Sequence, residues 1–286
     1  MRESNHVLEY IRALETFGVG AFTSAQVAEK CALVRRLMYA RPVASRPRIS
    51  VVVPAQREER SLLATLRSLA EQTHPSFEVL VVSNGEPAGN RTQAIAEACG
   101  ARVLYDPTPG IARARQTGLE AARGAIVVST DADTLHPRGW LATIEGVLRD
   151  ERIRCGAGLL RALSPRRSVR VAQQFISWTM RAKNALHPRL VTGVSEANSF
   201  FRREAALAVG GYDLDVRVGE GIRLFRKFHR AGVPLVFPSD DLVVYTSARR
   251  IERQGALRWL ATVMGNTALQ LVGGKGIDET AYPDVR

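Results

Sequence analysis

Apolar residues recur along the chain with two spacings, which predict strands and helices in alternation. Short runs of adjacent apolar residues predict four strands, over 49–53, 77–82, 101–105 and 125–129. Leucine and alanine residues at helical spacing predict the helices between and after these strands, over 61–71, 92–99, 110–122 and 140–150. This alternation predicts an α/β fold with a mostly parallel, Rossmann-like sheet and helices on both of its faces.

The pattern is less regular after residue 150 and at both ends of the chain. Further strands are predicted over 156–163, 195–201, 234–237 and 242–245, and further helices over 169–185, 203–209, 220–231 and 251–271. Before residue 40, two stretches with helical spacing predict a helical extension, in which Thr23 or Ser24 caps the second helix. The predicted divisions are an N-terminal helical extension and linker over 1–47, an α/β domain over 48–250, and a C-terminal helix and tail over 251–286.

The composition is that of a globular protein with an excess of positive charge. Among 286 residues, 45% are hydrophobic and 24% are charged, and the net charge is +12. A basic chain favours anionic partners, such as nucleotide phosphates, nucleic acid or an anionic membrane surface. Three cysteines without metal-type spacing favour a reducing compartment, and no apolar run suits a signal peptide or a spanning helix. We therefore expect a cytoplasmic protein.

Two aspartates follow the fourth predicted strand directly, in the segment Asp131-Ala-Asp133. Residues two apart share one face of a strand, so extended geometry would point both carboxylates the same way. In open α/β sheets, ligands bind at the carboxyl ends of the strands. Paired carboxylates without a nearby histidine or cysteine pair suit a hard cation such as Mg²⁺ or Mn²⁺. Aspartate is equally typical of an ordinary polar turn after a strand.

Four segments, taken in order, give the chain a likeness to a known family. They are the opening strand and turn over 51–59, the helix over 110–118 with its exit at 122–124, the aspartate pair at 131–133, and the segment over 195–203 with Gly210-Gly-Tyr-Asp213. Together they resemble the family 2 glycosyltransferases of the GT-A fold. The resemblance covers residues 48–250, and it implies a donor nucleotide half over 48–150 and an acceptor half over 151–250.

The resemblance also implies roles for individual residues. It makes Asp133 the direct ligand of Mn²⁺ or Mg²⁺, with Asp131 as a second ligand or a ribose contact, and it gives Arg115 to the phosphates. The nucleotide-binding residues that it implies are Pro54, Gln56, Glu58, Asn84, Arg115 and Asp131. Arg113 also lies near the start of the predicted helix and is within reach of phosphate, but Arg115 matches the family's arginine.

Two departures from the family pattern concern the nucleotide. Gln56-Arg57 stands where the family has Tyr-Asn, and glutamine hydrogen-bonds but does not stack on a base. Ser83-Asn84 stands where the family has Asp-Asp, so Asn84 either reads the base or forms an ordinary Asn-Gly turn. The identity of the base is therefore open.

A third departure concerns the catalytic base. The family's Glu-Asp pair is replaced by Glu220-Gly221, and glycine has no side chain that accepts a proton. We expect Glu220 to act as the base, with Asp213 and Asp215 as nearby alternatives. The other interpretations are that the enzyme retains configuration and needs no such base, or that its activity is low.

The resemblance leads us to expect a metal-assisted transfer of sugar from a nucleotide diphospho-sugar to a carbohydrate or lipid-linked acceptor. The process would belong to cell-envelope, glycolipid or polysaccharide synthesis, with an option of peripheral contact at the inner face of the membrane. The alternative is a non-catalytic nucleotide-sugar binding protein. A nucleic-acid partner is not expected, because no aromatic and basic module is evident. Isolated histidines are expected at the surface or in packing, and the tryptophans in the core, with an acceptor platform as their alternative. Arg249 and Arg250 are expected on a solvated face, with contact to diphosphate or an anionic lipid as the alternative.

Overall fold

A seven-stranded sheet forms the centre of the protein. The computed structural model describes residues 22–40, 46–186, 194–216, 219–237 and 242–271. The strands are β1 (Ile49–Ala55), β2 (Phe77–Asn84), β3 (Arg102–Asp106), β4 (Ile126–Ser129), β5 (Thr134–Leu135), β6 (Cys155–Ala157), β7 (Leu159–Leu163), β8 (Ser199–Arg202), β9 (Leu235–Val236) and β10 (Val243–Ser247). The large sheet has the order β3-β2-β1-β4-β8-β6-β9, and β5, β10 and β7 form a second sheet.

Helices cover the large sheet and extend beyond it. They are α1 (Ser24–Tyr39), α2 (Leu62–Ala70), α3 (Arg91–Ala98), α4 (Ile111–Ala121), α5 (Trp140–Val147), α6 (Arg167–Leu186), α7 (Arg203–Ala208), α8 (Glu220–Arg230), α9 (Arg249–Gln254) and α10 (Ala256–Leu271). Thr23 caps α1 with a reciprocal bond to Gln26, as the sequence predicts. The earlier predicted helix lies outside the described residues. Within the described ranges, no helix combines the length and apolar character needed to cross a bilayer.

The mostly parallel α/β fold is confirmed. β1, β2, β3 and β4 run parallel to one another, whereas β8 runs antiparallel to both β4 and β6. The carboxyl ends of the parallel strands meet at one edge of the sheet. Because Ser129 at the end of β4 pairs with Ser199 at the start of β8, the chain entering β8 reaches the same edge. This reversal brings the second half of the chain to the predicted ligand-binding edge.

The predicted strand over 156–163 was wrong as a single element. β6 and β7 belong to different sheets and are separated only by Gly158. A Cβ atom at Gly158 would lie 2.3 Å from both Asn198 Nδ2 and the Leu242 carbonyl oxygen. Asn198 donates to the carbonyls of Leu159 and Leu242, and this close approach ties the two sheets together.

Two other predicted boundaries move for reasons of backbone geometry. β1 continues through Pro54 to Ala55, although proline was expected to end the strand. The backbone of Val52 bonds to the chain leaving β4, and Pro54, two residues on, faces the same side. The pairing with β4 ends at Val52, so the N–H that proline lacks would have had no partner there. The predicted helix over 251–271 is interrupted at Gly255, whose φ of 83° suits glycine and separates α9 from α10.

Candidate active site

The segment Asp131-Ala-Asp133 lies at the carboxyl edge of the large sheet, in the turn that joins β4 to β5. The strand ends at Ser129, and the amide of Thr134 donates to the Asp131 carbonyl across the turn at 3.3 Å. The extended geometry on which the shared direction depended therefore ends before the aspartates, and their carboxylates bond to different arginines. The segment is a polar turn, which was one interpretation of the sequence, and it also lies at the edge of the sheet where the other interpretation placed a ligand site.

The first arginine, Arg115 on α4, is almost fully buried at 3% exposure. Its Nη2 donates to Asp131 Oδ1 at 2.6 Å, its Nε to Glu220 Oε1 at 3.1 Å, and its Nη1 to the Ser129 hydroxyl. Burial disfavours the charged guanidinium, but the negative charges of the neighbouring carboxylates outweigh burial and raise the pKa of Arg115. We call Arg115, Asp131, Glu196, Tyr212 and Glu220 the buried arginine cluster.

Glu196 belongs to this cluster and lies in a 3₁₀ turn (Glu196–Asn198) immediately before β8. Its Oε2 accepts hydrogen bonds from the Tyr212 hydroxyl at 2.7 Å and from Ser199 at 2.9 Å. Within the described part of the chain, its buried Oε1 has no hydrogen-bond partner. Burial is the main cause that raises the pKa of Glu196, and the charge of Glu220 adds to it.

The second arginine, Arg249, begins α9 and bridges two carboxylates. Its Nη2 lies 3.1 Å from Glu58 Oε2 and 3.1 Å from Asp133 Oδ2. The expectation of a solvated face was therefore wrong for Arg249, although its side chain remains 42% exposed. Burial, with the charges of Asp131 and Glu58, raises the pKa of Asp133 to about 6 against the opposing effect of Arg249. We call Glu58, Asp133 and Arg249 the half-exposed arginine cluster.

The donor set at the turn fits a hard divalent cation that is shared with phosphate. Asp131 and Asp133 each give one carboxylate oxygen to an arginine, and Asp133 Oδ1 has only a 3.5 Å contact from Thr246. Among the described residues, no group of three or more His, Cys, Asp or Glu side chains is placed to hold a metal ion. Mg²⁺ and its analogues are commonly held by one or two carboxylates, with phosphate and water completing the shell.

A family model described as glycosyl transferase family 2 matches residues 50–210 of the chain. The chain belongs to glycosyl transferase family 2. Glycosyltransferase AglE of Haloferax volcanii is 27% identical over 203 residues, which cover 68% of this chain and 65% of that protein. Pre-mycofactocin glycosyltransferase of Mycobacterium tuberculosis is also 27% identical over 203 residues, covering 69% of this chain and 42% of that protein. The match thus spans less than two thirds of either relative.

Solved structures show the GT-A fold of this family 2 member. Mannosyltransferase PcManGT from Pyrobaculum calidifontis, in complex with GDP-Man and Mn²⁺, superposes with a TM-score of 0.61 at 23% identity. That match covers 95% of this chain and 77% of the other. S. aureus TarS in complex with UDP-GlcNAc gives a TM-score of 0.58 at 18% identity, covering 82% of this chain and 68% of the other. At such identities the likeness carries the fold alone.

The glycines of the family 2 helix motif allow α4 to lie close to β1. A Cβ atom at Gly118 would lie 2.3 Å from the Val52 side chain, and one at Gly124 would lie 2.7 Å from the Ser50 amide nitrogen. Any larger residue would push α4 away from the sheet. Because Arg115 is on the same helix, these close contacts set its depth beneath the turn.

The predicted nucleotide residues of the family 2 site lie at the ends of neighbouring strands. Pro54 is buried in β1, and Gln56 follows it with Nε2 3.5 Å from the Gly85 carbonyl oxygen. Asn84 ends β2 and donates to the Gly110 carbonyl at 2.8 Å, so it holds the loop before α4. Their contacts with a nucleotide, like that of Glu58, stay predictions.

The two arginines of α4 differ in their availability to phosphate. Arg115 is enclosed by its own acceptors, so its predicted phosphate contact would have to compete with carboxylates. Arg113 is half-buried on the first turn of α4 and, within the part of the chain that the structure describes, makes no hydrogen bond or ion pair. The family motif indicates Arg115 as the phosphate contact, whereas Arg113 is the arginine of α4 that has no competing carboxylate among the described residues.

The remaining sequence candidates separate into buried and exposed groups. His136 is buried between the hydroxyls of Ser68 and Thr130, and burial lowers its pKa to about 3, so it packs as predicted. Trp140 is also buried and donates to Asn198 at 2.9 Å. Core packing was the wrong expectation for Trp178, which is 66% exposed on α6. His187 lies outside the described residues.

The sequence gave no individual site role to Glu196, and it gave Arg249 a diphosphate contact only as the alternative to a solvated face. Glu196 lies in the segment over 195–203 that carries the family resemblance, but the resemblance singled out no role for this position. Arg249 is one of several arginines after β10 and has no distinguishing pattern. Both acquire a place in the site through contacts between distant segments of the chain.

Proposed function

We propose that this chain transfers a sugar from a nucleotide diphospho-sugar to an acceptor hydroxyl, in the synthesis of cell-envelope, glycolipid or polysaccharide material. The observation that carries the proposal is the Asp131–Asp133 turn at the ligand edge of a family 2 GT-A fold, with an arginine on each side. The named relatives are glycosyltransferases, which supports the same reaction class.

The residues at this edge suit the departure of a diphosphate. Breaking the bond between sugar and phosphate leaves negative charge on the leaving group, which nearby cations stabilise. Arg113 and Arg249, which both retain exposure, would contact the diphosphate. Asp133 and Asp131 would hold Mg²⁺ or Mn²⁺, which supplies further positive charge at the diphosphate when bound. Gln56, Glu58 and Asn84 would line the nucleoside.

The presence of a base that activates the acceptor hydroxyl distinguishes a glycosyltransferase from a non-catalytic nucleotide-sugar binding protein. Gly221 offers no acidic group, and Glu220, the expected base, is ion-paired with Arg115 at 3.1 Å. A chain that has no working base, and whose reaction does not retain configuration, would bind the nucleotide sugar without transferring it. Turnover is therefore the property that separates the two functions.

The direct experiment measures transfer or hydrolysis with a panel of nucleotide sugars, with Mn²⁺ or Mg²⁺ and with a chelator. We expect metal-dependent turnover with one or a few donors, and at least a hundredfold loss in Asp133→Asn. Arg152→Met, which changes an exposed arginine paired with Asp150, is the matched control and should keep full turnover. Metal-dependent nucleotide binding without turnover would favour the binding protein, and the absence of both would refute the proposal.

We further propose that the acceptor side faces an anionic membrane surface. Val171, Phe175 and Trp178 lie on one face of α6 and are 54%, 45% and 66% exposed, while Leu257 on the neighbouring α10 is 84% exposed. Neither helix contains an acidic residue, and α6 begins with exposed Arg167. Exposed aromatic and aliphatic side chains with basic neighbours are typical of helices at the lipid interface.

Vesicle binding tests the membrane proposal independently of catalysis. The protein should sediment with vesicles containing phosphatidylglycerol and much less with pure phosphatidylcholine. Trp178→Ala combined with Phe175→Ala should reduce binding about tenfold or more, because both changes remove exposed apolar surface. Leu214→Ala removes an exposed side chain from another segment and should bind normally. Equal binding by the double variant and the wild type would contradict the proposal.

A further inference from the structure

The first turn of α8 contains a glycine that is packed against a carboxylate. A Cβ atom at Gly221 would lie 2.5 Å from both Cγ and Oε1 of Glu196. Real Cβ atoms do not approach other atoms so closely, so a side chain at position 221 and the present position of Glu196 exclude each other. The carboxylate of Glu196 therefore occupies the volume that a side chain at position 221 would fill.

Glu196 also differs from the other carboxylates of the site in its partners. Asp131 and Glu220 pair with Arg115, Glu58 and Asp133 pair with Arg249, and Asp213 pairs with Lys227. Among the described residues, Glu196 makes no direct ion pair with an arginine or lysine, although the charge of Arg115 nearby opposes the burial that raises its pKa, and its Oε1 has no hydrogen-bond partner. Buried polar atoms in native proteins normally have a partner, and an exception calls for an explanation such as a catalytic role.

We infer that Glu196 is the general base of the reaction, and that its Oε1 accepts the proton of the acceptor hydroxyl. The inference rests on the proposed glycosyl transfer. It assigns to Glu220 a different task, which is to fix Arg115 beside the turn. Tyr212 and Ser199 hold Oε2, so the carboxylate keeps its orientation and presents Oε1.

The proposed step balances in atoms and charge. The acceptor oxygen forms its bond to the anomeric carbon of the donor as its proton passes to Glu196 Oε1. The bond between the anomeric carbon and the phosphate oxygen breaks, and its electron pair leaves with the diphosphate. Burial raises the pKa of Glu196, which moves the carboxylate toward the basicity that proton transfer near neutral pH requires.

The burial of Glu196 sets one structural requirement. The residue is 5% exposed, so the first turn of α8 has to shift when the acceptor binds. Gly219, with φ of 80°, and Gly221 lie on either side of Glu220 and give this turn backbone freedom. A shift of this turn would uncover Oε1 without moving β8.

The test compares Glu196→Gln with Glu220→Gln in the wild-type background, using the donor selected by the nucleotide-sugar panel. Glu196→Gln should lower kcat by a hundredfold or more, leave the donor KM and nucleotide affinity unchanged, and abolish the acidic limb of the pH-rate profile. Glu220→Gln should keep that limb, because its side chain does not take the proton. Tyr212→Phe should shift the limb to higher pH, since it removes a hydrogen bond that stabilises the ionised carboxylate.

A relocation experiment separates catalysis from a purely structural effect. Glu196→Gly alone should be inactive. Adding Gly221→Asp, which returns a carboxylate to the same volume, should raise kcat at least tenfold above that of Glu196→Gly. Thermal unfolding of each variant shows whether it is folded, and the relocated pair replaces Glu196→Gln if that variant unfolds.

Two results overturn the inference in distinguishable ways. If the wild type turns over a donor and Glu196→Gln shows the same rate and pH profile, the role of Glu196 is refuted and the proposed function is left intact. Absence of turnover in the wild-type chain with every donor would refute the proposed function and this inference together.

Discussion

Two arginine clusters flank the Asp131–Asp133 turn, and their arginines differ in how deeply they are buried. The guanidinium of Arg115 is 3% exposed and lies on α4 beneath the sheet edge, whereas the side chain of Arg249 is 42% exposed at the start of α9. Each arginine bonds to one of the two aspartates. The same pair of chemical groups therefore occurs twice, with a deeply buried arginine in one pair and a partly exposed arginine in the other.

The difference between the clusters indicates different uses. A buried ion pair that loses one partner leaves an uncompensated charge, so it is costly to rearrange. A half-exposed pair is screened by water and salt and contributes little to stability, so it can exchange partners. We therefore interpret the Arg115–Asp131 pair as part of the fixed architecture, and the half-exposed cluster as the side on which cations and phosphates exchange. Glu220 is the member of the buried cluster that the proposed shift of α8 would move.

The largest expected effect comes from breaking the buried cluster with Arg115→Met. Asp131, Glu196 and Glu220 would then lose the cation among them, and the free energy of unfolding should fall by about 3–5 kcal/mol. Chemical denaturation of the wild type and the variant measures the difference. A loss below about 1 kcal/mol would show that the buried cluster is no more structural than the exposed one.

The second effect concerns His136, which bonds to Thr130 on the core side of the buried cluster. Burial lowers the pKa of His136 from 6.5 to about 3, so below pH 6.5 the unfolded chain binds a proton that the folded chain does not. The contribution of neutral His136 to the free energy of unfolding is therefore fully present above pH 6.5. It is lost as the pH falls toward 3, at up to about 1.4 kcal/mol per pH unit. Denaturation at several pH values should show this slope as the difference between the wild type and His136→Gln. Parallel stability curves would contradict it.

A smaller effect is expected from breaking the half-exposed cluster with Arg249→Met. The free energy of unfolding should change by less than about 1 kcal/mol. Asp133 would also lose its competing cation, so Mn²⁺ should bind up to about tenfold more tightly in the absence of nucleotide, by calorimetry or electron paramagnetic resonance. Arg152→Met serves again as the charge-matched control. Weaker Mn²⁺ binding in Arg249→Met would show that the guanidinium assists the metal site and does not compete with it.

The smallest effect on stability is expected for Arg113→Met, which removes no ion pair within the described residues. Its unfolding free energy should stay within about 0.5 kcal/mol of the wild type. Binding of the nucleoside diphosphate should weaken roughly tenfold or more, as a charged hydrogen bond is lost, while binding of the nucleoside alone should not change. Equal losses for both ligands would place Arg113 away from the phosphates.

The sequence predicted the fold well where the apolar pattern was strong. The first four strands and the helices between them lie within two or so residues of their predicted bounds, because alternating buried segments leave a regular pattern. The prediction failed at Gly158 and in the chain before Ser199, where a close approach and a 3₁₀ turn divide short apolar runs. Such interruptions depend on what packs against the segment.

The position of the candidate site was predictable from the sequence, but its ion pairs were not. Asp131 and Asp133 lie at the edge where the sequence placed them, and the family motif led to Arg115. The sequence did not reveal that Arg115 would pair with Glu220, which is 105 residues away, or Arg249 with Asp133, which is 116 residues away. Ion pairs of this kind have no periodic signal, since several arginines of similar context are available to each carboxylate.

The sequence by itself determined the family, the alternating sheet and the place of the Asp131–Asp133 turn, because hydrophobic spacing and local motifs encode which face of each element is buried. Only the tertiary structure decided that one aspartate is held by a buried arginine and the other by a half-exposed one. It also decided that the carboxylate of Glu196 fills the space beside Gly221. The physical reason is that burial and charge pairing arise from the meeting of β4, β8, α8 and α9, which are far apart along the chain.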